Sequence, residues 1–497
     1  MYTHDASDAQ LVVAIAAGEK EGADMRQRVT AVAIALLLLP ISAAAGKPPP
    51  GAVAVTLTTQ NLHWRLSPMP PVRFGPLRRI RTIAVRDTSR YQRIWGFGAA
   101  MTDTSAWLLY DELRPARRAR AMAELFAGSG IGLRYLSLPV GASDFTATGV
   151  PYTYDDMPAG QTDPTLSRFS VAHDRRYIFP ALRQALVVNP AILILARPWS
   201  APGWMKANDA LDDVDFAGQL LSGDYGAFAH YLVDFVEAFT RAGVPIAALT
   251  PENEAHTSSL YPGMDLDEDT FLLRYLAPAL RAARIHPRVY GLDGSGFEAG
   301  LNMITGPVRS VIAGVAWHCY QGLQQMSVLH DASPTASLVM DECSPRVAYY
   351  PTAETVIASL RNYAQAVDLW NLALDPAGGP KQPVPGCDNC QAVVTIDERT
   401  HRARLTLDYY QLGQASKFVQ RGAIRIYSDR WVSDFPASGS IGVTEGLDNV
   451  AVRNPDGTRV LVAYNNSAAP VRFQVAWHRR GFAYRLAPHA TATFEWN

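Results

Sequence analysis

From Ile94 onward, short apolar runs alternate with longer stretches of helical period, eight times over about 280 residues, and this repeat limits the fold more than any other feature. Candidate strands are 95–98, 133–139, 191–197, 246–251, 289–292, 311–319, 337–343 and 367–373; helical stretches between them include 115–127, 225–242, 268–283 and 353–366. Eight strand-then-helix units of this size predict an α/β fold, a closed (β/α)8 TIM barrel. A doubly wound open sheet needs fewer strands, and no G-x-G-x-x-G follows the first one.

The flanks carry period two instead. Runs at 53–57 and 80–85, and later at 423–426, 450–453, 459–464, 471–477 and 490–496, read as short strands. Turn residues such as Asn454-Pro455-Asp456-Gly457 and Asn465-Asn466 separate the later ones. The C-terminal strands, completed by the N-terminal ones, predict a β-sandwich side domain. The expected organisation is an extension with leader over 1–46, sandwich strands over 47–91, the barrel over 92–418 and the rest of the sandwich over 419–497.

Within the first segment, Arg26 and Arg28 precede an apolar run from Val29 to Ile41, and small residues follow from Ser42 to Gly46. That is the pattern of a secretory signal peptide starting at Met25, with an uncleaved anchor as the alternative; the run is short for a membrane span. The expected location is secreted or periplasmic, with no stable membrane insertion once the leader is removed. Four cysteines are too few to build the fold. Cys387 and Cys390, in C-D-N-C within a Pro/Gly-rich loop, are expected to form a local disulfide; Cys319 and Cys343, inside apolar runs, are expected to be buried inert thiols. Net charge is −1, which excludes a nucleic-acid footprint, and ten Trp with twenty-one Tyr suit sugar faces as well as cores.

A barrel presents its chemistry at the C-terminal ends of its strands. In order, those ends carry Asp103, Ser143-Asp144, Trp199, Asn253-Glu254, Asp293, His318 with Tyr320, Asp341-Glu342, and Trp370-Asn371. Two carboxylates on strands four and seven face each other across such a mouth. Retaining glycoside hydrolysis needs one protonated carboxyl and one ionised carboxylate about 5–5.5 Å apart, so Glu254 and Glu342 are the candidate pair.

The same segments resemble glycoside hydrolase family 30, and within it the glucosylceramidases. Gly96-Phe97-Gly98-Ala99-Ala100-Met101-Thr102-Asp103 is similar to the family's strand-one block, Ser143-Asp144-Phe145-Thr146 and Tyr152-Thr153-Tyr154 to its strand-two segments, and Arg197-Pro198-Trp199-Ser200 to its strand-three block. Glu252-Asn253-Glu254-Ala255 resembles the acid/base block, His318-Cys319-Tyr320 the strand-six triplet, Asp341-Glu342-Cys343 the nucleophile block, and Trp370 to Pro380 the family's W-N-L-A-L segment throughout. The resemblance runs from about residue 90 to the C-terminus. It implies Glu254 as general acid/base and Glu342 as nucleophile. Asp103, Trp199 and Asn253 would bind sugar hydroxyls, His318 and Tyr320 would line the pocket near the nucleophile, and Trp370 with Asn371 would wall it. It implies no metal or cofactor and a carbohydrate or glycolipid substrate of glucosylceramidase type. The alternatives are an endo-β-1,6-glucanase or another β-glycosidase of the family, or a barrel that binds carbohydrate without turnover.

Two departures bear on the site. The family's strand-two Arg is Ser137 here, and its strand-three Ser is Arg197. Because those strands are neighbours, Arg197 is expected to supply the missing guanidinium beside Glu342. The plainer expectations are that Asp293 serves a Gly-rich turn, that Glu252 and Asp341 turn away from the mouth by strand alternation, that Tyr152 and Tyr154 brace a loop, and that Trp204 is as readily core as pocket.

Overall fold

The computed structural model describes residues 51–348, 350–429 and 446–497; the expected leader lies outside them. Eight parallel strands close a barrel in the order Gly96–Ala99, Tyr135–Val140, Leu193–Pro198, Ala248–Leu249, Arg288–Gly294, Gly314–His318, Ser337–Glu342 and Ala366–Leu369. Each is buried along nearly its whole length, as a sheet covered on both faces requires. The helices that cover it are amphipathic. Tyr225–Arg241 buries Phe228, Tyr231, Leu232, Phe235 and Phe239 on one side.

The flanking strands form one nine-stranded sheet, in the order Ser67–Arg73, Ala52–Thr58, Thr491–Trp496, Arg459–Asn465, Leu447–Arg453, Ile424–Ser428, Thr82–Arg93, Val471–Trp477 and Arg480–Leu486. N-terminal strands thus complete the C-terminal sandwich. The 12-residue strand Thr82–Arg93 joins its two parts, pairing antiparallel with Ile424–Ser428 and parallel with Val471–Trp477. Val53, Val55, Ile83, Phe473, Phe482, Phe494 and Trp496 are core of this domain. Period-two reading misses Ser67–Arg73, whose sequence SPMPPVR contains three prolines. It is an edge strand, where an absent N–H costs no ladder bond.

Three elements differ from expectation. The stretch 268–283 is a continuous helix, as expected, but carries a π-bulge over Leu272–Leu276 between Glu268–Phe271 and Ala277–Ala283. The run 367–373 breaks: Ala366–Leu369 is barrel, while Ala373–Leu374 joins a separate sheet with Val394–Asp397 and Arg402–Leu405. Cys319 and Cys343 are not free thiols but a disulfide, alongside the expected Cys387–Cys390 bond. Strands six and seven are parallel neighbours, with His318 registered against Glu342, so the following cysteines meet although 24 residues separate them. Closing a loop of that length is worth about 3–4 kcal/mol by the chain-entropy relation. The Cys319→Ala/Cys343→Ala variant should therefore lose about that much unfolding free energy in denaturant titrations. An unchanged midpoint would show that the bond does not constrain the chain. Among the described residues, no helix is long and apolar enough to cross a membrane.

Candidate active site

Glu254 follows the short strand Ala248–Leu249 in a turn where its own φ is +50°, and its N–H donates to the Asp293 carbonyl at 2.8 Å. Glu342 ends strand seven. Single oxygens of Glu254 and Glu342 and a ring nitrogen of His318 all lie within 4.8 Å of one another. That is the close spacing of a retaining pair, short of the about 6.5–9.5 Å that an inverting site needs to seat its water.

The nucleophile candidate is held on both oxygens. Tyr320 Oη donates to Glu342 Oε1 at 2.8 Å, and Arg197 Nη2 stands 2.7 Å from Oε2. The guanidinium is fully buried and its Nη1 also lies 3.4 Å from Asp293 and 3.7 Å from Asp341. It is therefore delivered beside Glu342 from strand three, while Ser137, on strand two, hydrogen-bonds Asp368 at 2.6 Å. His318 Nδ1 contacts Glu254 Oε1 at 2.8 Å and its Nε2 contacts Asp293 Oδ1 at 2.8 Å. The carboxyl groups of Asp293, Glu254 and Glu342 gathered around its ring favour the charged form of His318.

The charges follow from these contacts. Burial would lower the His318 pKa, but Glu342, Asp293 and Glu254 raise it well above the ordinary range. Burial raises Glu342; His318 and Arg197 only partly offset this, so it stays above the usual glutamate value. Asp293 goes the other way, to about 2, because Arg197 and His318 outweigh its burial. Asp341 is pushed well up by burial and by Asp293, and Asp368 to about 8, chiefly by burial. Arg197 and His318 thus face Glu342 and Asp293 under the mouth. Two donor triplets, Glu254–His318–Glu342 and Asp293–His318–Asp341, are compact enough for a metal ion. They share one histidine that already carries charge, and Arg197 already answers their carboxylates, so the donor set does not suit a cation.

Asp144, Glu268, Glu354 and Asp368 are all raised to about 8, mainly by burial. Between about pH 4 and 8 the folded chain therefore binds more protons than the unfolded one, and stability falls as pH rises. Raised His318 acts in the same direction. The expected result is a Tm higher at pH 5 than at pH 8.5. A Tm that climbs over that interval would mean these carboxyls are ionised in the folded protein.

Above the pair is a cavity of about 420 Å³, walled by Trp199, Trp370, Tyr261, Tyr320, Asp144 and the 386–389 loop with its disulfide. Trp199 and Trp370 stack at 5.3 Å, and Tyr261 meets Trp199 edge-on at 5.5 Å. Trp199 Nε1, Asp144 Oδ1, Asn253 Oδ1 and both amide atoms of Asn371 are buried without a hydrogen-bond partner among the described residues. Asn253 and Asn371 are buried and are not among the cavity walls.

Four sequence expectations change here. Asp103 does not reach the cavity: its carboxylate accepts from the Ala147 amide, Tyr152 Oη and Tyr177 Oη and meets His173 Nε2, pinning the 147–177 loop; Thr102 is the helix cap. Asp144, in the Ser143-Asp144-Phe145 segment, occupies the wall instead. Asp293 is no turn residue but a buried anion, swung inward because Leu292 and Asp293 both have positive φ where the fifth strand slips register between Gly291 and Gly294. Asp341 does not alternate outward. A bulge pairs Trp317 with Met340 and His318 with Glu342, so Asp341 is the extra residue and joins Glu342 in the charged cluster. Glu252 is buried and lines a second cavity beside Glu254. Tyr152 braces its loop through Asp103, and Trp204 is core, its Nε1 donating to Asp155.

Known proteins resemble this chain in both domains. Residues 94–272 match the glycosyl hydrolase family 30 TIM-barrel domain, and residues 422–494 match the family 30 beta sandwich domain. Endo-1,6-beta-D-glucanase BGN16.3 of Trichoderma harzianum is 32% identical over 403 residues, covering 77% of this chain and 80% of that protein. Lysosomal acid glucosylceramidase of Mus musculus is 25% identical over 448 residues, covering 83% of each. The solved structure of the endo-beta1,6-glucanase BT3312 superposes with a TM-score of 0.78 at 26% identity, covering 90% of this chain and 99% of that one. Barrel, sandwich, ordered strand-end residues and these similarities agree: the chain belongs to glycosyl hydrolase family 30, a family of retaining glycosidases.

Proposed function

We propose that this protein is an exported endo-1,6-β-glucanase that cleaves β-1,6-linked glucan by double displacement at Glu254 and Glu342. The observation that carries the chemistry is the close approach of those two carboxyls beneath the stacked tryptophans. The linkage rests on the greater identity to the Trichoderma glucanase, 32%, than to the mouse glucosylceramidase, 25%. The glucosylceramidase reading suggested by the motifs is the less supported one. Export is supported by the leader pattern and by the two disulfides, which persist in oxidising compartments.

In the first step a Glu342 oxygen attacks the anomeric carbon while Glu254 passes a proton to the departing bridge oxygen, and the C–O bond breaks. Arg197 and Tyr320 keep the attacking carboxylate ionised and aimed. His318 fixes Glu254 through Oε1, leaving Oε2 to carry the proton in transit. In the second step Glu254 takes a proton from water, which attacks the same carbon and frees Glu342 with net retention. The hydroxyls of the bound sugar meet the unpartnered Trp199 and Asp144 atoms on the cavity wall.

The test is a substrate panel of linear β-1,6-glucan, β-1,3-glucan, xylan and glucosylceramide, with NMR of the first product anomer. β-1,6-Glucan should be cleaved fastest and give β-anomer first; α-anomer, or a preference for glucosylceramide, would reject the reading. On the glucan, Glu254→Ala should lower kcat by about 10²–10⁴-fold. A dinitrophenyl β-glucoside, whose leaving group needs no proton, should lose far less in the first step, and azide should restore turnover. Equal losses on both substrates would remove Glu254 from the acid role.

A further inference from the structure

Lys206 is buried, and its ammonium stands where three chain segments cross. Nζ lies 3.0 Å from Ser200 Oγ, 3.0 Å from the Leu211 carbonyl, 2.8 Å from the Asp212 carbonyl and 2.6 Å from the Gly263 carbonyl. We propose that Lys206 is a positioning residue for the glycosyl pocket: it ties the segment that carries Tyr261 to the end of strand three, and so holds the Tyr261 ring against Trp199 where the sugar binds. The inference rests on the glycosidase chemistry proposed above for Glu254 and Glu342, and not on the β-1,6 linkage.

A buried ammonium has given up its water, and oxygens must replace it. Three N–H donors are shared here among four oxygens. The tie matters because little else holds Tyr261. Its strand, Ser259–Pro262, is paired with the two residues Asp212–Asp213 alone, in a two-stranded sheet whose register shifts between them. A sheet of two short strands is marginal by itself. Lys206 bonds both of its arms, through Asp212 on one and through Gly263, next to Pro262, on the other.

The surrounding contacts close the same gap. The Gly263 amide donates to the Leu211 carbonyl at 3.0 Å. A Cβ on Gly263 would run into Ser259 Oγ, so this close approach needs glycine. The fourth acceptor, Ser200 Oγ, belongs to the residue after Trp199, and the Ala201 amide lies 3.1 Å from Met264 Sδ. Tyr261, Trp199 and Trp370 all line the 420 Å³ cavity, whereas Lys206 does not. Its effect on the sugar is therefore indirect. A ring already in place when the sugar arrives has no freedom left to lose on binding.

The experiment is a double-mutant cycle at about pH 5.5, below the pKa of about 7 to which burial lowers Lys206 although Asp213 and Asp212 act to raise it. Wild type, Lys206→Met, Tyr261→Ala and the double variant are compared in glucose affinity, by tryptophan fluorescence, and in kcat and KM on nitrophenyl β-glucoside. Lys206→Met should weaken glucose binding and raise KM by about tenfold, with a much smaller fall in kcat. In the Tyr261→Ala background the same substitution should change either constant by less than about twofold, because the ring it would have misplaced is gone. Lys206→Gln, which keeps N–H donors on a shorter stem, should fall between Lys206→Met and wild type. If Lys206→Met lowers Tm but leaves glucose affinity and KM at wild-type values, or weakens both by the same factor in the two backgrounds, Lys206 only holds the fold and the inference is wrong. A wild type that binds glucose without hydrolysing the glucoside rejects the double displacement instead, and the cycle in glucose affinity still decides on Lys206. Loss of both binding and turnover in the wild type overturns the pocket and this inference with it. Should Lys206→Met fail to fold, the same cycle built on Lys206→Gln decides between support and rejection.

Discussion

Glu342→Gln should lower kcat on every β-glucoside by about 10⁴-fold or more, a loss of ~5.5 kcal/mol in transition-state stabilisation. An amide oxygen at that position is a poor nucleophile, so the covalent glycosyl-enzyme does not form and Glu254 has no first step to assist. The substitution keeps shape and an acceptor for Tyr320 Oη, and Arg197 still has Asp293 at 3.4 Å. Folding should survive, as a far-UV spectrum unchanged from wild type would report. Comparable nitrophenyl β-glucoside hydrolysis by wild type and Glu342→Gln would mean that the barrel binds carbohydrate without turnover. A residual rate that is high but sensitive to Glu254→Ala would mean that another group attacks.

The sequence made the barrel legible because its strands are buried on both faces and read as unbroken apolar runs, with strand ends that place Glu254, Glu342, Trp199, His318, Tyr320 and Trp370 in one region. What escaped was set by local departures from those periods. Asp341 joined the cluster through a bulge, and alternation makes no allowance for an extra residue. Asp293 turned inward on two positive-φ residues, beside glycines that read as an ordinary turn. Asp103 is missing from the cavity wall that Asp144 lines because the loop reaching to Tyr177 takes up its carboxylate. Nothing within the first-strand block signals that contact. The Cys319–Cys343 bond needed the register of two strands, which spacing does not supply.

Arg197 is the side chain on which the most charge converges, so removing it should have the second-largest effect. In Arg197→Met, Glu342 loses its 2.7 Å partner while remaining buried, and Asp293 keeps only His318 as a cation. Taking one partner from a buried ionic cluster costs about 3–5 kcal/mol, which denaturant titration should show directly. The rate should change with a particular pH dependence. Burial already holds Glu342 above the usual carboxylate range, and Arg197 is one of two cations that restrain it. Without the guanidinium, the protonated and unreactive form persists to higher pH, so the acid limb of kcat/KM moves upward. Arg197→Lys should not restore the wild-type profile, because one ammonium does not span Glu342 on one side and Asp293 with Asp341 on the other as Nη2 and Nη1 do. An acid limb that stays in place while stability falls would make Arg197 a purely structural charge. A limb that shifts upward in both variants, and further in Arg197→Met, would show that strand three sets the ionisation of the nucleophile on strand seven.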